Sequence, residues 1–237
     1  MGRHMVIAGK KSKEDLKRGK IFGKLSKKIA VAARNGSDMQ FNSELASIVD
    51  EAKAMNMPKD NIERAIKKGS GELEGVEYTE LMYEGYGPSG VALLVEVLTD
   101  NKNRAVAAVR HAFDKYGGNM GGNGCVSFMF DHAGIIVIKN NDSIDDDEIM
   151  MEVLEAGADD IDIDDNYIEI ITSVNEFSNV KEALKEKEFE FEMAEIRYIP
   201  QNMVKLTDEK DLSNMEKKIE IMEENEDVQK IYHNWEE

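Results

Sequence analysis

Apolar positions along this chain change period twice. From Lys13 to Arg34 they recur at helical spacing: wound at 100° per residue, Ile21, Phe22, Leu25, Ile29, Ala32 and Ala33 share one face. Asn35-Gly36-Ser37-Asp38 then breaks the pattern. Asn42 or Ser43 can cap a second helix with Leu45, Ile48, Val49 and Ala52 inward. Pro58 suits the first position of a third, in which Ile62, Ala65 and Ile66 turn to the core and Gly69 and Gly71 mark the end. Residues 1–75 therefore read as a three-helix domain.

From Tyr78 the period becomes strand-like. Leu81 to Glu84, a turn at Gly85-Tyr86-Gly87-Pro88-Ser89-Gly90, and Val91 to Leu98 predict a hairpin. Thr99 or Asp100 can cap a helix reaching Tyr116, with Val106, Val109, Ala112, Phe113 and Tyr116 buried. The glycines from Gly117 to Gly124 read as a flexible link to a strand over Cys125 to Phe130. Residues 134–199 then run strand (135–138), helix (145–156), strand (161–163), strand (167–172), helix (176–187), strand (189–199). That βαββαβ order is the ferredoxin-like unit. The remaining helix (209–224) and strand (228–233) are too little for a domain and should return to the earlier α/β sheet. The fold class expected is α+β: a basic helical domain (1–75), a discontinuous α/β domain (76–131 and 201–237), and a ferredoxin-like domain inserted between its halves (132–200).

Charge sharpens this division. The chain of 237 residues has a formal net charge of −18. Its first 36 residues carry eleven Lys and Arg against two Asp and Glu, a net +9. Residues 1–74 total +6 and residues 75–237 total −24. The cations Lys10, Lys11, Lys13, Lys17, Arg18, Lys20, Lys24, Lys27, Lys28 and Arg34 crowd the first helix, and Lys59, Arg64, Lys67 and Lys68 the third. Such asymmetry points one end of the chain at a polyanion. An anionic membrane calls for bulkier apolar residues than this Ala-rich face offers, and no run of apolar residues is long enough for a spanning helix, so no membrane partner is expected. Nucleic acid is the partner expected, held by its phosphates. Arg104, Arg110 and His111, cations on an acidic domain, can add contacts or pair internally with Asp100 or Asp114.

Other chemistry finds little support. His4, His111, His132 and His233 are scattered, and with one cysteine no zinc spacing exists. Asp162-Ile163-Asp164-Asp165-Asn166 lacks the glycine and closing glutamate of a calcium loop. Gly117 to Gly122 is not followed by the Lys-Ser/Thr of a phosphate loop, and no nucleophile elbow is present. No metal, cofactor or catalytic residue is expected, and the chain reads as a non-enzyme. The lone Cys125 fits a reducing cytoplasm.

Several stretches resemble the YebC/PmpR family: Lys17-Arg18-Gly19-Lys20-Ile21-Phe22, the run Asn56 to Gly69, Tyr83 to Val91, Leu98 to Arg104, Val109-Arg110-His111-Ala112-Phe113, and Pro200-Gln201-Asn202. The likeness runs from about Lys10 to the end, whereas Gly2 to Lys11 departs from the family's usual opening and lacks its aromatic residue. The resemblance implies three domains, no catalytic residues, and a regulator of gene expression that binds promoter DNA or, as a translation factor, ribosomal RNA. A further reading is a protein adaptor whose acidic domains meet basic proteins while its basic helix docks internally. The oligomeric state is open.

Overall fold

The computed structural model describes the backbone of residues 3–140, 145–164, 166–187 and 189–236, with side chains from Arg18 onward. Two compact units emerge. Ser127–Met203 forms one, and the segments on either side of it form the other.

The larger unit starts with three helices: α1 (Arg3–Ala32), α2 (Ser43–Ala54) and α3 (Lys59–Gly69). The expected apolar face of α1 is where the bundle packs. Leu25, Ile29, Ala32 and Ala33 are buried with Leu45, Val49, Met57, Ile62 and Ala65, while Phe22 is half-buried and Ile21 is exposed. Asn42 caps α2 by accepting the Leu45 N–H at 3.0 Å, and its amide donates to the Ala32 and Gly36 carbonyls, fixing the turn between helices. Pro58 is the residue before α3, with extended backbone, not its first turn. Gly69 sits where a Cβ would run into the Ala30 carbonyl, so α3 crosses α1 closely at its C-terminal end.

The same unit holds a four-stranded sheet ordered β3-β1-β2-β9. Strands β1 (Thr79–Tyr86) and β2 (Ala92–Thr99) form the hairpin, α4 (Lys102–Lys115) follows, and β3 (Asn119–Met120) pairs with β1. Asn101, rather than Thr99 or Asp100, caps α4 by accepting the Arg104 N–H. Leu93, Val95 and Val97 pack with Val109 and Phe113 of α4 and with residues of the C-terminal segment.

Cys125 to Phe130 is not a strand. It turns, passes through a short 3-10 segment (Ser127–Met129), and enters β4 (Phe130–Lys139). The reason is the buried Glu84, whose carboxylate accepts the Gly124 and Val126 N–H groups at 2.8 and 3.0 Å and so removes them from any ladder. In the glycine stretch before it, Gly118 and Gly121 are packed, while Gly122 and Gly124 are open to solvent. A Cβ on Gly118 would meet the Tyr86 carbonyl, and one on Gly121 the Cys125 sulfur.

The smaller unit runs β4, α5 (Asp146–Glu155), β5 (Ala158–Ile163), β6 (Tyr167–Ser173), α6 (Phe177–Glu186), β7 (Phe191–Pro200). Its sheet order, β5-β6-β4-β7, with every neighbouring pair antiparallel, is the ferredoxin-like arrangement. Ile136, Ile138, Ile168 and Ile170 pack against Ile149, Val153, Val180 and Leu184 of the two helices.

The chain then returns to the larger unit through β8 (Val204–Lys205), α7 (Glu209–Glu223), β9 (Val228–His233) and β10 (Trp235–Glu236). Strand β9 joins the edge of β2, and β8 pairs in parallel with β10, a pairing the sequence pattern did not suggest. Among the described residues no helix is long and apolar enough to cross a membrane.

Candidate nucleic-acid interface

The basic residues separate into two groups when their partners are traced. The first group faces inward on α1. Lys27 donates to an Asp227 carboxylate oxygen at 2.7 Å and to the Glu226 carbonyl at 3.0 Å, and its ammonium lies 5.9 Å from the centre of the Tyr78 ring. One turn earlier Lys24 donates to the Glu223 carbonyl at 3.0 Å. The Glu223 carbonyl ends α7, where a helix presents unsatisfied oxygens and partial negative charge, and Glu226 lies in the turn that follows it. Arg34 donates to the Tyr78 carbonyl at 3.2 Å, tying the far end of α1 to the approach to β1. Lys20 makes a 3.9 Å ion pair with the exposed Glu224, a contact of little energetic weight.

Arg104 completes the same knot from α4. Its Nε and Nη2 donate to Asp227 at 3.0 and 2.9 Å, and Nη2 also reaches Asp100 at 2.6 Å. Burial alone would raise the Asp227 carboxyl; the hydrogen bonds from Lys27 and Arg104 outweigh it and hold the carboxyl below its ordinary range. Burial likewise lowers the Lys24 ammonium, against the pull of Glu223. Asp227 is buried, so α1 and α4 are fastened to the β9 approach through one desolvated carboxylate.

The second group faces outward. On α3, Arg64, Lys67 and Lys68 are exposed, and none makes an ion pair within the described residues; Lys59 pairs with Glu63 one turn on at 3.4 Å. Arg18 is exposed and Lys28 half-exposed on α1, again without an ion pair among the described residues. Arg110 and His111 are exposed on α4, where Arg104 is already engaged. The side chains of Lys10, Lys11, Lys13 and Lys17 lie outside the described residues; their backbone continues α1.

Sequence reasoning missed Asp227, Tyr78 and Lys218. The first two are 200 and 51 residues from Lys27, and no local pattern announces them. Lys218 left a signal, because it falls on the same face of α7 as Met215 and Met222. It is fully buried, donates to the Gly117 carbonyl at 3.2 Å, and lies 5.2 Å from the Phe113 ring centre. Burial, opposed by Asp114, brings its ammonium down to about 8. Among the described residues no cluster of His, Cys, Asp and Glu is placed to hold a metal ion.

Comparison with known proteins adds the family. Residues 3–72 match the TACO1/YebC protein N-terminal domain, and residues 78–235 match the TACO1/YebC second and third domain. A probable transcriptional regulatory protein of Clostridium acetobutylicum is 54% identical over 229 residues, covering 96% of this chain and 93% of its own. One from Geobacter sulfurreducens is 53% identical over 231 residues, covering 97% and 92%. The crystal structure of a conserved hypothetical protein from Aquifex aeolicus superposes with a TM-score of 0.79 at 41% identity, covering 92% of this chain and 90% of that one. The α+β fold, the helical N-terminal region and matches over nearly the whole length agree: this chain belongs to the TACO1/YebC family.

Proposed function

We propose that the protein is a non-enzymatic regulator of gene expression that holds nucleic acid by its phosphates on the outward face of the helical bundle. The observation carrying this reading is the set of exposed cations on α3, Arg64, Lys67 and Lys68, with Arg18 and Lys28 of α1, none of which makes an ion pair among the described residues of a chain with net charge −18. Cations without an ion-pair partner among the described residues are available to phosphates, and each phosphate contact releases counterions. Specificity would then come from shape and from the placing of the bundle, since no base-reading motif is visible.

The relatives are named as probable transcriptional regulatory proteins, which favours DNA as the ligand, and ribosomal RNA is the alternative. Crosslinking in growing cells, followed by sequencing of the attached nucleic acid, separates them: promoter DNA supports a transcriptional regulator, ribosomal RNA a translation factor, and an absence of enrichment for either contradicts nucleic-acid binding. The adaptor reading draws on the docking of Lys24 on the C-terminal end of α7 and of Lys27 on Asp227, but it leaves the exposed cations of α3 without a role.

A further inference from the structure

The smaller unit poses a separate question. Residues 127–203 hold 21 Asp and Glu against five Lys and Arg, a net −16, so a polyanion is repelled there. Its helix α5 buries Ile149 and Val153 and leaves an apolar strip open: Met151 is 63% exposed, Leu154 48% and Met150 38%. At 100° per residue these three span about a quarter of the helix circumference, on the side away from the core pair. Asp147 stands at the strip's N-terminal end, and the exposed Glu148 and Glu155 run along its margin. The neighbouring Glu152 is already paired with Lys187 at 3.4 Å.

Apolar side chains cost solvation free energy in water, and three contiguous ones on a helix otherwise dense in carboxylates have no role in the fold of this unit. Two are methionines, whose unbranched side chains adapt to differently shaped partners. We propose that the outer face of α5 is a docking surface for a basic amphipathic helix of another protein. Such a helix would set apolar residues spaced i, i+3, i+4 over Met150, Met151 and Leu154 and bring Lys or Arg to Asp147, Glu148 and Glu155. This surface is independent of the nucleic-acid reading. It gives the acidic unit a partner of opposite charge while the helical bundle engages a polyanion.

The test uses the full chain and a fluorescein-labelled, 18-residue helical peptide of Leu and Lys, with leucines at i, i+3, i+4 spacing. A scrambled peptide of the same composition controls for charge alone. Fluorescence anisotropy should show the amphipathic peptide binding at least tenfold more tightly than the scrambled one. The double variant Met151→Glu, Leu154→Glu should abolish that difference although it adds negative charge, and Met150→Glu alone should weaken binding several-fold. All three positions are exposed, and circular dichroism checks the fold. Equal binding of the two peptides overturns the proposal, as does wild-type affinity in the double variant. Sedimentation of the wild type as a dimer that the double variant dissolves also overturns it, because a second copy would then occupy the face.

Discussion

Helices α1 and α3 are both basic, and the chain uses their charge in opposite ways. On α1, Lys24 and Lys27 are drawn onto the end of α7 and onto Asp227. On α3, Arg64, Lys67 and Lys68 remain in solvent. A charge count treats the two as one patch, yet a cation paired with a buried carboxylate can reach a phosphate only by leaving that carboxylate uncompensated. The difference gives the inward cations a role in the fold and leaves the outward ones for the ligand of the proposed function.

The largest effect expected comes from reversing the outward set. Arg64→Glu, Lys67→Glu and Lys68→Glu together should weaken nucleic-acid binding by at least a hundredfold, since three attractions become three repulsions. The melting temperature should stay within a few degrees, because exposed substitutions away from special features change stability little. A variant that unfolds would place these side chains in the fold and erase the contrast.

Disturbing the inward set should do the reverse. Asp227→Asn leaves Lys27 without a charged partner and Arg104 with Asp100 alone, and chemical denaturation should show a loss of about 2–4 kcal/mol. Binding measured well below the melting temperature should persist. The pH dependence follows from the same carboxylate. Its pKa is lower folded than unfolded, so its contribution is present above the unfolded value, near 3.9, and is lost as pH falls through the lowered native one. Wild-type stability should therefore fall with acid below about pH 4 more steeply than that of Asp227→Asn.

A smaller effect of opposite sign is expected at Lys218. Between its native pKa of about 8 and its unfolded value of about 10.4, the unfolded chain binds more protons than the folded one, so stability should rise with pH across that window. Lys218→Met removes the cost of burying the ammonium and keeps an unbranched stem of similar length. It should raise stability at pH 7 by about 1 kcal/mol, after the lost hydrogen bond to Gly117, and flatten that rise.

Much of the fold could be read from the sequence because its signals are local. The apolar face of α1, the Asn42 cap and the βαββαβ order each depend on residues within a turn or two, or on the succession of elements. Cys125 to Phe130 misled because alternation of apolar residues predicts a strand wherever no partner competes for the backbone, and here the Glu84 carboxylate, about 40 residues earlier, takes the N–H of Val126 and that of Gly124 just before the stretch. The pairing of the basic residues in the candidate interface was half legible for the same reason. Composition located the basic helices, but which lysines are spent depends on Asp227, 200 residues from Lys27 along the chain. Charge patterns carry no information about pairing at that range.

The contrast between the helices is tested most directly by the salt dependence of nucleic-acid affinity between 50 and 200 mM, measured side by side for the wild type, for Lys27→Met, and for the neutral triple variant Arg64→Gln, Lys67→Gln, Lys68→Gln. Each phosphate contact contributes about 0.9 to the slope of log affinity against log salt on duplex DNA. With about five contacts the wild type should lose roughly five-hundredfold in affinity over that range. The triple variant's slope should be shallower by about 2.7, and the Lys27→Met slope should match the wild type. A slope that shallows in Lys27→Met and holds in the triple variant would contradict the account, because the phosphates would then rest on α1 and its tie to Asp227 would have to open.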